Sequence, residues 1–277
     1  MIERIAVCGL GRVGKPLLDM LRYVGFEAVG YDNDLTKTVE SDVDTSDPAR
    51  AVQQSQAAIF IVQTPSRSDG SFSNEYLEDA LTRFAASAEN SGKHDYLYII
   101  GSTTTPGSCD KFREIVGNNI CYKPEFIRLA EVRRDLLNPA IVLIGSKSKQ
   151  AGDQCEEIYR RITSAPVKRM TLIEAELAKI TLNCALTIKI SLANQLHLVA
   201  EKLGADSSVI MDAVGCDPRI GNAYLKPGSP YGGPCLPRDN RMFRHVAQSV
   251  GVDACLSAAA DQINESDGIR EKGVSYA

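Results

Sequence analysis

Short apolar runs, each followed by a stretch of helical period, recur through the first part of the chain. Ile5-Ala6-Val7-Cys8, the segment from Glu27 to Tyr31, Ala58–Val62, Tyr96–Ile100 and Ala140–Ile144 have the continuous character of strands buried on both faces. Between them, Leu17, Leu18 and Leu21 repeat at helical spacing, as do apolar positions from Asn74 to Ala86. Strands alternating with helices predict a parallel sheet wound on both faces. Near Val167 the pattern changes. From Thr171 to about Leu203 there is neither Pro nor Gly, and helix formers dominate. Thr171 with Glu174 fits a capping box, and Gly204 supplies the stop. A helix of that length spans roughly 45 Å, long for one small domain. Leu182, Leu186, Ile190 and Leu198 place apolar groups on more than one of its faces, which predicts a two-fold dimer with this helix in the interface. Further helical patterns cover 207–214, 240–250 and 255–263, and the polar tail from Asn264 is expected to fray. The expected organisation is an α/β domain over 1–170, then an all-helical domain with a long central helix over 171–277.

Composition narrows the function classes. With 277 residues, 44% hydrophobic and 24% charged, the chain is an ordinary globular one. A net charge of −4 and a pI near 5.5 argue against nucleic-acid or anionic-membrane partners. No apolar run approaches a membrane span. The N-terminus enters a strand pattern at once, so no signal peptide is expected and the cytoplasm is the expected compartment. Eight cysteines are scattered without a C-x-x-C pair, and three histidines stand far apart. Reduced thiols and no metal site are therefore expected.

The first strand leads into Gly9-Leu10-Gly11-Arg12-Val13-Gly14, then a helix, then a strand ending at Asp32. This is the order of a Rossmann-like dinucleotide fold. Gly9 makes the turn, Gly11 admits the diphosphate, Gly14 lets helix and strand pack, and the helix start around Arg12 and Val13 faces the phosphates. Asp32 would take the ribose hydroxyls and repel a 2′-phosphate, so NAD is expected over NADP. Two further strand ends carry polar punctuation: Gln63-Thr64-Pro65-Ser66, and the segment from Gly101 to Ser108. Each also fits an ordinary turn.

A second set of residues suggests covalent chemistry. In Tyr231-Gly232-Gly233-Pro234-Cys235-Leu236-Pro237-Arg238-Asp239, glycines and prolines force an irregular backbone that a substrate can approach. Cys235 is a candidate nucleophile, with Arg238 nearby to favour its thiolate; a tight loop holding a half-buried thiol explains the same residues. Lys179 and Asn183 lie one helical turn apart on one face. Glu125, in Cys121-Tyr122-Lys123-Pro124-Glu125-Phe126, is either a solvated turn residue or a general base, and spacing does not choose. Asp217-Pro218-Arg219-Ile220-Gly221 presents a guanidinium on a pinned loop.

Taken together, GLGRVG, VQTP, GSTTTPGS, KPEF, EAELAKITLNCALTIKIS, DPRIG and GGPCLPRD resemble, in order, the UDP-glucose/GDP-mannose (nucleotide-sugar) dehydrogenase family. The resemblance implies oxidation of a sugar's primary alcohol to a carboxylate, with two NAD per turnover and a covalent cysteine adduct. It implies Cys235 as nucleophile, Lys179 stabilising the oxyanion, Asn183 and Thr103 holding the reacting oxygen or a water, Asp239 assisting proton transfer, and Glu125 helping thioester hydrolysis. Thr64 would lie by the nicotinamide ribose, with Thr103 close to the cofactor. Tyr231, Gly232 and Gly233 would line the substrate, and Arg219 would reach the partner subunit's substrate. The implied partners are a sugar nucleotide or related alcohol and a second copy of the chain. Departures are Lys123 where Asn commonly begins the motif, Leu129 in place of a second glutamate, and Arg238 for the usual Lys. Family members continue into a third, nucleotide-gripping domain, whereas this sequence stops soon after Asn264. Two alternatives stay open: a single-hydride hydroxyacid-type dehydrogenase, which needs no cysteine, and a silent NAD-binding scaffold.

Overall fold

The computed structural model describes residues 1–39, 43–128 and 130–270, which leaves Leu129 outside. The chain forms two compact units, one of residues 1–65 and 72–179, the other of 66–71 and 180–277.

The first unit is a seven-stranded sheet. Its strands are β1 (Arg4–Cys8), β2 (Glu27–Tyr31), β3 (Ala57–Phe60), β4 (Leu97–Ile100), β5 (Ile120–Tyr122), β6 (Val142–Ser146) and β7 (Val167–Met170). They lie in the order β2-β1-β3-β4-β5-β6-β7. Alternation along β1 explains the two-sided core: Ile5 and Val7 enter one apolar layer, Ala6 and Cys8 the other. Helices α1 (Gly14–Tyr23), α5 (Val132–Leu137) and α6 (Lys149–Ile162) supply Leu17, Leu21, Leu136 and Ile158 to the first layer. Helices α2 (Pro48–Gln53), α3 (Glu75–Asn90) and α4 (Ser108–Val116) supply Val52, Leu81, Phe84 and Phe112 to the second. In that second layer the Phe84 ring meets Tyr31 and Phe60 edge-on, each at 5.1 Å between centroids.

The sheet is parallel, as expected, apart from the pair β5 and β6, which run antiparallel. Short α5 is followed by a return of the chain in the opposite sense, so no crossover of βαβ type joins this pair. Strands β5 and β7 were not among the expected elements. Each is only three or four residues long, and β7 carries Lys168 and Arg169 on an exposed edge. The order places β2 and β3 on opposite sides of β1, which makes the carboxyl ends of β1 and β3 the switch point where ligands bind.

The long helix α7 (Leu172–Leu203) has 32 residues and belongs to both units. Its capping box forms: the Thr171 amide donates to Glu174 Oε2 at 2.7 Å, and the Glu174 amide to Thr171 Oγ1 at 3.4 Å. In the second unit it is followed by α8 (Ser207–Gly215), α9 (Leu236–Ser249), α10 (Cys255–Asn264) and α11 (Asp267–Arg270), with a small apolar cluster of Ala193, Met211 and Leu225. Up to residue 270 the expected fraying from Asn264 is corrected, since α10 reaches Asn264, α11 follows, and Ile269 is fully buried; the rest of that expected tail lies outside the described residues. No helix among the described residues is long and apolar enough to cross a membrane.

Candidate active site

At the switch point, the loop after β1 is shaped by two glycines that the protein itself demands. Gly9 has φ +96°, and a Cβ there would sit 2.2 Å from the Ile61 carbonyl oxygen. A Cβ on Gly14 would come within 1.8 Å of the Gly9 carbonyl oxygen. Gly11 differs: a Cβ there meets nothing within 4 Å and its φ is not left-handed. The open space beside its main chain fits the close approach of a dinucleotide diphosphate. Arg12 is exposed, Val13 is the cap of α1, and Gly14 opens the helix. Gly9, Gly11, Asp32, Lys37 and Ile61 line a crevice of about 250 Å³. Asp32 is buried and accepts from the Leu10 amide at 2.8 Å, the Asp34 amide at 3.0 Å and Lys37 Nζ at 3.2 Å. Its carboxylate is thereby held in place in the crevice lining.

The loops after β3 and β4 are tied together, since Thr64 Oγ1 donates to the Thr103 carbonyl at 2.7 Å. The β4 loop is fixed from α7 by Glu176. That carboxyl accepts from Thr104 Oγ1 at 3.0 Å and from the amides of Gly107 and Cys109 at 2.7 and 2.9 Å. Burial nonetheless pushes the Glu176 pKa above the ordinary value. Glu125 is not a solvated turn residue. Its Oε2 takes Lys123 Nζ at 2.5 Å, with the side chains 8% and 5% exposed. Tyr159 OH donates to Oε1 at 3.4 Å, and Lys123 Nζ lies 4.0 Å above the Tyr159 ring. Lys179 Nζ donates to the Glu125 carbonyl at 2.9 Å and stands 4.8 Å over the Phe126 ring. The structure thus gathers Glu125, Lys179 and Lys123 into one buried cluster of two ammonium groups and one carboxylate.

In the second unit, Cys235 caps α9 and its thiol is exposed. Arg238 follows three residues later in the first turn of that helix. Burial pushes the Cys8 and Cys109 thiols far up and that of Cys184 to about 12. The preceding loop, with Gly233 at φ +70°, is held by side chains from two helices. Asn194 accepts from the Gly228 amide at 2.9 Å and donates to the Ser229 carbonyl at 2.8 Å. Asn264 accepts from the Tyr231 amide at 2.7 Å and donates to its carbonyl at 3.0 Å. Tyr231 OH donates to Asp261 at 2.5 Å, so its buried phenol anchors the loop, while Gly232 and Gly233 stay accessible. Asn183 Nδ2 donates to Asp239 Oδ2 at 2.6 Å. Arg219 forks onto Asp217 of its own loop, with Nη2 to Oδ2 at 2.6 Å and a side chain 86% exposed.

Family models match most of the chain. The NAD binding domain of the UDP-glucose/GDP-mannose dehydrogenase family matches residues 38–163, and that family's central domain matches residues 173–266. The chain belongs to this family. It therefore carries the family's NAD-binding domain, and NAD is its cofactor. It is 30% identical over 288 residues to a GDP-mannose 6-dehydrogenase of Pseudomonas aeruginosa, covering 90% of this chain and 65% of that protein. A UDP-glucose dehydrogenase structure from Pyrobaculum islandicum superposes with TM-score 0.86 at 28% identity, covering 96% of this chain and 68% of that one. A 3-hydroxyisobutyrate dehydrogenase of Mycobacterium tuberculosis shares the fold, with TM-score 0.76 at 17% identity and coverage of 97% and 96%. The chain spans about two thirds of the length of its nucleotide-sugar relatives.

Several residues of this family member gained a part only in three dimensions. Lys123 stood out in sequence as a departure without a role, and Tyr159 and Glu176 carried no signal. Asn194 had one: with Asn183, Thr187 and Ser191 it forms a polar stripe at helical spacing in a mostly apolar helix.

Proposed function

We propose that this chain oxidises a primary alcohol, that of a sugar nucleotide or a smaller sugar-like alcohol, to a carboxylate by two hydride transfers through Cys235. The observation that carries the reading is Cys235 itself, an exposed thiol at a helix start in a loop pinned by Asn194 and Asn264, with buried Asp239 and its partner Asn183 one turn on. Bound NAD supplies the hydride acceptor for each oxidation. Gly9, Gly11, Gly14 and Asp32 would hold it, with Thr64 and Thr103 towards the nicotinamide end.

In the first oxidation the alcohol loses a hydride and a proton and becomes an aldehyde. The Cys235 sulfur then bonds to the aldehyde carbon, and the thiol proton is released as the oxygen is protonated. That thiohemiacetal loses a second hydride and a proton, leaving a thioester on Cys235. Water attacks the thioester carbon, the C–S bond breaks, and the thiol and a carboxylate are released. Lys179 would stabilise the negative oxygen, Asn183 and Thr103 would orient it, Asp239 would carry protons, and Glu125 would activate the water. Arg219 would serve the partner subunit's substrate across a dimer formed on α7.

A second reading, single hydride transfer to or from a hydroxyacid, draws on the fold shared with 3-hydroxyisobutyrate dehydrogenase. Counting NADH per alcohol separates the two. The four-electron reading expects two NADH for wild type, and a Cys235→Ser variant that stalls at or before the second. One NADH per turnover, insensitive to Cys235→Ser, would defeat it.

A further inference from the structure

Lys123, where the sequence departs from its family's motif, follows β5 directly. Its main chain is fixed, since its amide donates to the Ile100 carbonyl of β4 at 2.8 Å. Its side chain meets two groups. Nζ lies 4.0 Å above the ring of Tyr159 on α6 and 2.5 Å from Glu125 Oε2. An ammonium with a ring face on one side and a carboxylate on the other has little freedom to move. The Lys123 and Glu125 side chains are buried together, so little water screens the pair.

The two oxygens of Glu125 are held differently. Oε2 carries the short, charge-assisted bond from Lys123. Oε1 takes the Tyr159 hydroxyl at 3.4 Å, a long bond that leaves acceptor capacity on that oxygen. Burial, and after it the Glu125 charge, push the Tyr159 phenol well above its ordinary value, so it stays protonated and keeps donating. The Glu125 main chain is held as well, because Lys179 Nζ donates to its carbonyl at 2.9 Å. A free glutamate samples several rotamers. Held in this way, Glu125 presents one oxygen in one orientation to a proton donor.

We propose that Lys123 is a positioning residue: by holding Oε2 it makes Oε1 the oxygen of Glu125 that takes a proton from the water attacking the thioester. This rests on the reading of Glu125 as the base for that water. In the step, the water oxygen bonds to the acyl carbon as one of its protons passes to Oε1. The sulfur leaves with the C–S bonding pair, and Glu125 and the acid product each release a proton to solvent.

Acetylating Cys235 of the NAD-saturated full chain with p-nitrophenyl acetate tests this without the sugar substrate. Release of p-nitrophenol reads acylation, and the mass of the peptide containing Cys235 reads loss of the acetyl group. Glu125→Gln should slow deacetylation about a hundredfold, and Lys123→Met about tenfold, while both acetylate near the wild-type rate. Lys123→Arg keeps a cation and its donors, and should come within about threefold of wild type. Tyr159→Phe deletes the long bond alone and should slow the step less than Lys123→Met. Rates are taken below the melting range of every variant. A merely structural defect would alter acetylation too, so a change confined to deacetylation marks positioning. Lys123→Met deacetylating like wild type while Glu125→Gln is slow would overturn the inference alone, as would Lys123→Arg no faster than Lys123→Met. Glu125→Gln deacetylating like wild type, or a Cys235 that takes no acetyl group, would overturn the underlying reading and the inference with it.

Discussion

Lys123→Met removes one half of an ion pair that water barely reaches. The two charged groups approach to 2.5 Å with side chains 5% and 8% exposed, and the other Glu125 oxygen has only a long bond of 3.4 Å from Tyr159. Methionine fills nearly the same volume, so the loss is electrostatic rather than a cavity. Stranding a buried charge costs about 3–5 kcal/mol. With roughly 2–4 °C per kcal/mol for a unit of this size, the melting temperature should fall by about 10 °C. Glu125→Gln should cost less, because the Lys123 ammonium keeps its place over the Tyr159 ring at 4.0 Å, a contact worth about 1–2 kcal/mol when desolvated. The double variant leaves neither charge and should recover most of the loss, giving a coupling energy on the order of 2–3 kcal/mol. Urea unfolding of wild type, both single variants and the double variant at neutral pH reads all of these quantities. Additivity within about 0.5 kcal/mol would mean that the pair is screened like a surface bridge, and the reasoning from burial would be refuted.

Other consequences follow from the same structure. Asp32→Ala should narrow the preference for NAD over NADP, because it deletes the carboxylate and frees Lys37, now 3.2 Å from it, to meet a 2′-phosphate; an unchanged affinity ratio by calorimetry would refute this. Glu176 has its folded pKa raised above 4.5 by burial, so its contribution is full below that value and lost as pH rises through the folded one. Glu176→Gln turns an amide towards a donor at about 1–3 kcal/mol and does not titrate. Wild type's advantage over it should therefore shrink from pH 4.5 towards neutrality, and a growing advantage would contradict the sign. Leu192, Val199 and Leu203 of α7 are 53%, 51% and 76% exposed and share a face by helical spacing. Light scattering should find a dimer at micromolar protein that Val199→Glu dissociates, and a wild-type monomer would remove the role of Arg219 in trans.

The elements legible in sequence were those whose cause is local. The turn at Gly9, the Thr171–Glu174 box and the uninterrupted run of α7 each follow from a handful of neighbouring residues. Strand β7 was not legible because Val167-Lys168-Arg169-Met170 lacks the apolar continuity of a central strand, as an edge permits. Nor could spacing decide between a solvated and a buried Glu125, since its burial depends on Tyr159 of α6, 34 residues away. The turn 66–71 belongs with the second unit through contacts to α9, and nothing within six residues can announce such a partner. Asn264 looked like the start of a tail because its two bonds to Tyr231 reach back 33 residues.

The buried polar stripe on α7 explains how a helix of mostly apolar residues fixes the site's register. Apolar surfaces alone tolerate sliding, since a shifted Leu still finds apolar neighbours. Asn183 to Asp239, Thr187 to Asn240, Ser191 to the Ala260 carbonyl and Asn194 to Ser229 tolerate none. Each helix residue here is at most 8% exposed, and a one-residue slip turns it by about 100°, leaving buried groups unsatisfied at about 1–3 kcal/mol apiece. Four such penalties together rival the whole stability of an ordinary domain. The stripe therefore holds α9, α10 and the loop before Cys235 in one arrangement, with Asp239 one turn from the thiol. Hydrogen bonds set that geometry more stringently than packing does, and this is why the same helix can leave Leu192, Val199 and Leu203 exposed without losing its register.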